Sequence, residues 1–205
     1  MKRLNEPTVL SDQIISDPSC SDGEDILYEC SQDFNFLVQE NNEMIKKPII
    51  VKILTKKDES GKLCSVRIEI LMKNDLFSIF QSSFTTDSYL TYQGKEELKI
   101  GIEDFPNVVK SILEKNGTIY NSKFIICPDE TYQLCVEMPL DFKNVTILRI
   151  DFENAEQSYI NAQVKYRNTI VQKKLEQIRK ETSNLISVLK IKDTSLLNSL
   201  KNYRK

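Results

Sequence analysis

Histidine is absent from this 205-residue sequence, and its five glycines stand singly at 23, 61, 94, 101 and 117. Without histidine the commonest general base and metal ligand is missing, and no Ser-His or Cys-His nucleophile can be assembled. Scattered glycines make no phosphate-cradling loop, so nucleotide binding is not expected. The adjacent acids Glu24-Asp25, Glu96-Glu97, Glu103-Asp104 and Asp129-Glu130 fall in a tail, turns and caps, where carboxylates are solvated rather than paired for catalysis. Together these gaps point away from an enzyme and imply no cofactor and no metal. The five cysteines, at 20, 30, 64, 127 and 135, are odd in number and contain no Cys-x-x-Cys pair, which argues against a disulfide framework or a zinc ribbon. Cys64, Cys127 and Cys135 sit in apolar runs and are expected to be buried, reduced thiols. No apolar run approaches the roughly 18 residues of a membrane span. The start, Met-Lys-Arg-Leu-Asn-Glu-Pro, does not continue into the apolar stretch of a secretory signal, so a cytoplasmic protein is expected.

What is present is unevenly distributed. The net charge is −2, but residues 1–31 carry seven acids against Lys2 and Arg3, whereas residues 163–205 carry eleven Lys or Arg and three acids. A basic end suits either a polyanionic partner or a solvated helix face. Residues 1–31 mix Ser, Asp and Pro without helical or strand period and read as an acidic, disordered extension. Within it, Ser19 and Ser21 lie among Asp22, Glu24 and Asp25, a context that suits an acid-directed kinase.

From Asp33 short runs of Ile, Val, Phe and Tyr predict strands over 33–40, 47–55, 64–72 and 76–84. Val66, Ile68 and Ile70 alternate with Arg67 and Glu69, which predicts one buried face. Thr85-Thr86-Asp87 suits the cap of a short helix bearing Tyr89, Leu90 and Tyr92, with Gly94 placed to end it. Phe105, Val108, Val109, Ile112 and Leu113 then recur at i, i+3, i+4, i+7 and i+8, the apolar face of a second helix. Three further strands follow over 118–127, 131–138 and 144–152. The last two are joined by Pro139-Leu140-Asp141-Phe142-Lys143, a connection with an apolar aromatic at its tip.

Beyond Asn154 neither proline nor glycine occurs, and a helix with a heptad seam is expected. Val164, Val171, Ile178 and Leu185 hold one seam position; Asn168, Leu175, Thr182, Leu189 and Leu196 hold the other. A buried pair of Asn168 side chains favours a parallel, in-register dimer at some cost in stability. A helix of about 40 residues extends some 60 Å, longer than a head of this size, so part of it needs a partner. The expected fold class is α+β: a small antiparallel β-sandwich or barrel head over 32–153, capped by a helix-turn-helix, then a coiled-coil helix with a basic tail over 154–205.

Residues 66–170 resemble the N-terminal head of the centriolar cartwheel protein, spindle assembly abnormal protein six, and its shorter cartwheel-like relatives. The resemblance rests on Val66-Arg67-Ile68-Glu69-Ile70-Leu71, Asn74-Asp75-Leu76-Phe77, Leu98-Lys99-Ile100-Gly101-Ile102-Glu103-Asp104-Phe105-Pro106 and Phe142-Lys143-Asn144-Val145-Thr146-Ile147-Leu148-Arg149-Ile150, in that order. It implies that heads pair through the hairpin bearing Leu140, Phe142 and Lys143, with Phe142 entering an apolar pocket on a neighbouring head. That pocket is expected to draw on the sheet and the helix at 105–113. The resemblance also implies a parallel coiled-coil homodimer and higher homo-oligomers of a centriole, basal body or related apical or flagellar cytoskeletal structure. The shorter rod and the acidic extension depart from the full cartwheel protein. An alternative is a DNA end-joining scaffold, whose head-plus-coiled-coil architecture is similar, although membrane and nucleic-acid partners are not expected. A third is an adaptor that works through its coiled coil alone.

Overall fold

In the computed structural model the described residues are 16–40, 42–127 and 131–192. The expectations for residues 1–15, for the Pro128-Asp129-Glu130 connection and for Leu196 lie outside them. The described chain forms strands β1 (Asp25–Val38), β2 (Glu43–Lys57), β3 (Leu63–Met72) and β4 (Ile79–Thr85), helices α1 (Thr86–Lys95) and α2 (Phe105–Glu114), strands β5 (Asn121–Ile126), β6 (Tyr132–Leu140) and β7 (Lys143–Asn154), and helix α3 (Gln157–Lys192). The strands close into a barrel in the order β1-β2-β3-β4-β7-β6-β5. Six seams are antiparallel; the closing one, β1 to β5, is parallel, with Asn35 opposite Lys123 and Val38 opposite Ile126. A parallel seam needs a long crossover, and everything from β2 to α2 supplies it. The β4–β7 seam spans only Phe80↔Asn154 and Gln81↔Glu153; α1 follows directly from β4, and α2 comes after the connection over 96–104.

The core follows from the period-two pattern. Phe34 and Phe36 of β1, Ile49, Val51 and Ile53 of β2, and Val66, Ile68 and Ile70 of β3 point into the barrel. Phe36, Phe80, Tyr132 and Phe152 surround Phe124 with ring centroids 5.2–6.0 Å away. A second aromatic group holds the helical cap. The Phe105 ring lies 5.0 Å from Tyr89, 5.2 Å from Phe84 and 5.8 Å from Tyr92. Phe105→Ala is expected to destabilise the protein by about 3–5 kcal/mol, the cost of a large buried cavity. Urea unfolding should show a lower midpoint with an unchanged slope.

Several expectations are corrected. Residues 16–31 are not a disordered extension: Asp17 caps a 3₁₀ turn over Pro18–Cys20, and β1 begins at Asp25. In β1 the half-buried Ile26, Tyr28 and Cys30 alternate with exposed Asp25, Leu27, Glu29 and Ser31, a strand signal obscured by its acidic, polar half. The head does not stop at residue 153. The first compact unit runs through Gln163 and the second begins at Val164, because Ala155, Ile160 and Gln163 are buried. β3 is buried on more than one face, since Glu69 is fully enclosed. α1 does not end at Gly94; it continues to Lys95, and Glu97 takes the left-handed turn at φ 53°. β4 starts at Ile79 rather than 76, because Asp75 accepts the Phe77 N–H and the Ser78 hydroxyl and holds residues 75–78 as a turn. Of the three cysteines in apolar runs only Cys135 is buried; Cys64 and Cys127 are half-buried.

Candidate functional site

β6 and β7 meet in a hairpin in which Leu140 pairs with Lys143, leaving Asp141 and Phe142 as the turn. A two-residue turn cannot fold its side chains back between the strands, and Phe142 is 83% exposed. Leu140 beside it is also exposed, and the Lys143 ammonium lies 6.0 Å from the Phe142 ring centroid. Leu140, Phe142 and Lys143, the residues expected to form the head-pairing hairpin, lie together at this tip as an apolar knob with a single cation at its edge.

Further along β7 the register slips. Val136 pairs with Leu148 and Glu137 with Thr146, so Ile147 is the extra residue of a β-bulge. A bulge re-aims side chains, and here the consecutive Ile147 and Leu148 both line one cavity. That cavity, about 270 Å³, is walled by Leu98 and Ile100 of the α1–α2 connection, Phe105, Val108, Ser111 and Ile112 of α2, Tyr120, and Ile147 and Leu148 of β7. An aliphatic cavity of roughly 150 Å³ already accepts benzene, so there is room for a phenyl ring. Of these residues the expected pocket covered the sheet and α2. The contributions of Leu98, Ile100 and Tyr120 were not anticipated, although the Leu98-x-Ile100 spacing offered a signal.

The cap that forms one wall is firmly held. The capping box of α1 joins the Ser88 N–H to the Thr85 hydroxyl at 3.3 Å and the Thr85 N–H to the Ser88 hydroxyl at 2.8 Å. Tyr92 donates its hydroxyl to the Arg149 carbonyl at 2.9 Å, and Tyr89 and Gln93 both donate to the Ile100 carbonyl, at 3.0 and 2.8 Å. Burial, reinforced by Glu96 and Asp151, pushes the Tyr92 phenol well above its ordinary range, and burial raises Tyr89 as well. Both stay protonated and act as donors, so the wall does not loosen with pH in the neutral range.

In the second unit α3 carries the seam. Val171, Leu175, Ile178 and Leu185 are exposed, Ile178 at 57%, and Asn168 is exposed among them. Val164 and Thr182 are half-buried, and Leu189 lies within the helix. Four large aliphatic side chains at heptad spacing on one exposed helix form an unpaired stripe of the kind a second helix covers. Among the described residues no group of three or more His, Cys, Asp or Glu is placed to hold a metal ion, and no helix is long and apolar enough to cross a membrane.

The arrangement defines a class of protein by its architecture: a closed β-barrel head with a helical cap, followed by a coiled-coil helix. The family model described as the centriolar protein SAS N-terminal domain matches residues 24–152, and the chain belongs to that family. Its fold is similar to that of an N-terminal fragment of Leishmania SAS-6 containing part of its coiled-coil domain, with 16% identity, a TM-score of 0.65, and coverage of 81% of this chain and 98% of that one. The N-terminal coiled-coil dimer of C. elegans SAS-6 gives 14% identity and a TM-score of 0.60 over 78% of this chain and 98% of that one. A Drosophila melanogaster Sas-6 fragment, a phenylalanine-to-aspartate variant dimerised via its coiled-coil domain, gives 12% identity and a TM-score of 0.60 over 93% and 99%. No curated protein sequence matches the chain.

Proposed function

We propose that this protein is a structural, non-enzymatic assembly unit of the centriole, basal body or a related microtubule-based structure, built up by two self-contacts. One is exchange of the Phe142 knob into the apolar cavity of a neighbouring head; the other is parallel pairing of α3 along Val164, Asn168, Val171, Leu175, Ile178, Leu185 and Leu189. The observation that carries this reading is that one head displays both an 83% exposed aromatic and an unfilled cavity large enough for it. About a two-fold axis each knob enters the partner's cavity, and a second two-fold contact elsewhere on the chain extends the pair into arcs or rings. Burying one phenylalanine contributes about 1.5–3 kcal/mol, so the head contact is weak by itself. Linking heads through a coiled coil raises their effective concentration and makes repeated weak contacts sufficient.

Sedimentation of the full chain over a concentration series tests this, since species beyond the dimer should appear as concentration rises. Val108→Arg, at an exposed lining residue of the cavity and in a helix that tolerates arginine, should remove those species while leaving the dimer. Combined with Phe142→Glu it should cost no more than either change alone, because both delete one contact. The DNA-scaffold alternative requires duplex binding that weakens steeply with salt, and a filter-binding titration of the same preparation separates it.

A further inference from the structure

On the outer face of the barrel, away from the aromatic core, five polar side chains distant in sequence meet with almost no solvent. Ser19, Glu69 and Gln163 are fully buried and Lys52 is 4% exposed, with the Tyr159 hydroxyl between them. The Ser19 and Tyr159 oxygens stand at the centre of the group, 3.1 Å apart. The Ser19 hydroxyl donates to Glu69 Oε2 at 3.0 Å, and Tyr159 donates to Glu69 Oε1 at 2.6 Å. Lys52 Nζ donates to Ser19 Oγ at 3.0 Å and to Asp17 Oδ2 at 2.5 Å. The Gln163 amide donates to Ser19 Oγ and to the Tyr159 oxygen, each at 2.9 Å. Ser19 therefore makes the three hydrogen bonds that a hydroxyl can make. Around this hub Arg67 donates to the Ser19 carbonyl at 2.6 Å, pairs with Glu24, and lies 5.5 Å from the Tyr159 ring centroid. Gln81 completes the Glu69 carboxylate at 2.9 Å.

We infer that the 3₁₀ turn at Pro18–Cys20 is a clasp that holds the root of α3 against the barrel, with Ser19 as its positioning residue. Tyr159 and Gln163 lie in the first two turns of that helix, 140 and 144 residues from Ser19 in sequence. Gln163 donates to Asp17 and Ser19 of the turn, and Tyr159 touches both Ser19 of the turn and Glu69 of β3. A buried network of this kind contributes little net stability compared with apolar packing. It does penalise every arrangement that leaves one member unpaired, so it selects a single seating of the helix root. Burial alone would favour a neutral Asp17, but the Lys52 ammonium and the Ser19 amide outweigh it and keep the carboxyl below its usual range. Burial and the neighbouring Glu69 keep the Tyr159 phenol protonated as a donor.

The consequence for assembly rests on the proposed two-contact reading: successive heads repeat at a regular angle only if each helix root is seated in one way. The test uses the full chain with Ser19→Ala, and with Tyr159→Phe as the milder variant that keeps the ring beside Arg67. Amide exchange at residues 157–163 should speed up about tenfold or more, the scale of losing a buried hydrogen-bond hub, while amides of β5 and β6 stay as they were. Electron micrographs of the oligomers should show a broader spread of curvature. Unchanged exchange at 157–163 in both variants, a rise shared equally by β5 and β6, or faster exchange with unaltered curvature would overturn the clasp. Failure of the unsubstituted protein to form oligomers would instead overturn the two-contact reading, and the exchange measurement would still decide whether the turn seats the helix.

Discussion

Phe142→Glu is expected to hold the full chain at the coiled-coil dimer at concentrations where the unsubstituted protein forms larger species. The ring is 83% exposed and meets its own head at the edge of the hairpin, through the Lys143 ammonium, so its removal should leave folding nearly unchanged, with thermal unfolding within a degree or two. Its effect should fall on association. Losing about 1.5–3 kcal/mol per phenylalanine corresponds to roughly tenfold to hundredfold in affinity, and a two-fold pairing loses two rings at once. The introduced carboxylate adds the cost of burying a charge in a largely apolar cavity whose lining residues include no cation. Phe142→Leu should retain part of the contact, because it keeps apolar area while filling the cavity less well. Equal self-association of all three proteins in sedimentation equilibrium would remove Phe142 from the interface.

The second large effect is expected from the seam. Ile178→Asp should convert the dimer to monomer across the micromolar range. It withdraws one isoleucine from each strand, about 3–6 kcal/mol for the pair, and sets two carboxylates face to face. The head should remain folded, since Ile178 lies in the second compact unit. Asn168→Val should act in the opposite sense, raising the dimer's melting temperature while loosening its preference for parallel, in-register pairing. Cysteine crosslinking between placed seam residues reads that loss of register directly. If the melting temperature falls with Asn168→Val, Asn168 does not face a partner.

Much of the head was legible because its signals are local. The alternation in Val66, Ile68 and Ile70, the helical spacing from Phe105 to Leu113, and the aromatic between two strand runs at Phe142 each depend on a few neighbouring residues. The heptad pattern after Val164 is of the same kind. The cavity was legible only in outline. Val108 and Ile112 declare their face by helical period, but Ile147 reaches the cavity through a bulge. Whether a strand gains an unpaired residue depends on its partner's register, which no single run of residues encodes.

By itself, then, the sequence determined the order of elements, the two apolar surfaces that stay outside the head core, and the exclusion of histidine-dependent chemistry. These depend on residue type and spacing along the chain. The tertiary structure alone decided that β5 closes the barrel in parallel on β1, that Ile147 turns into the cavity, and that Ser19 and Glu69 are buried rather than solvated. Each of those outcomes depends on what arrives from far away in sequence to cover or pair a group. A serine in an acidic segment and a glutamate on the outer face of a strand look solvent-bound until a helix 90 to 140 residues later is placed over them.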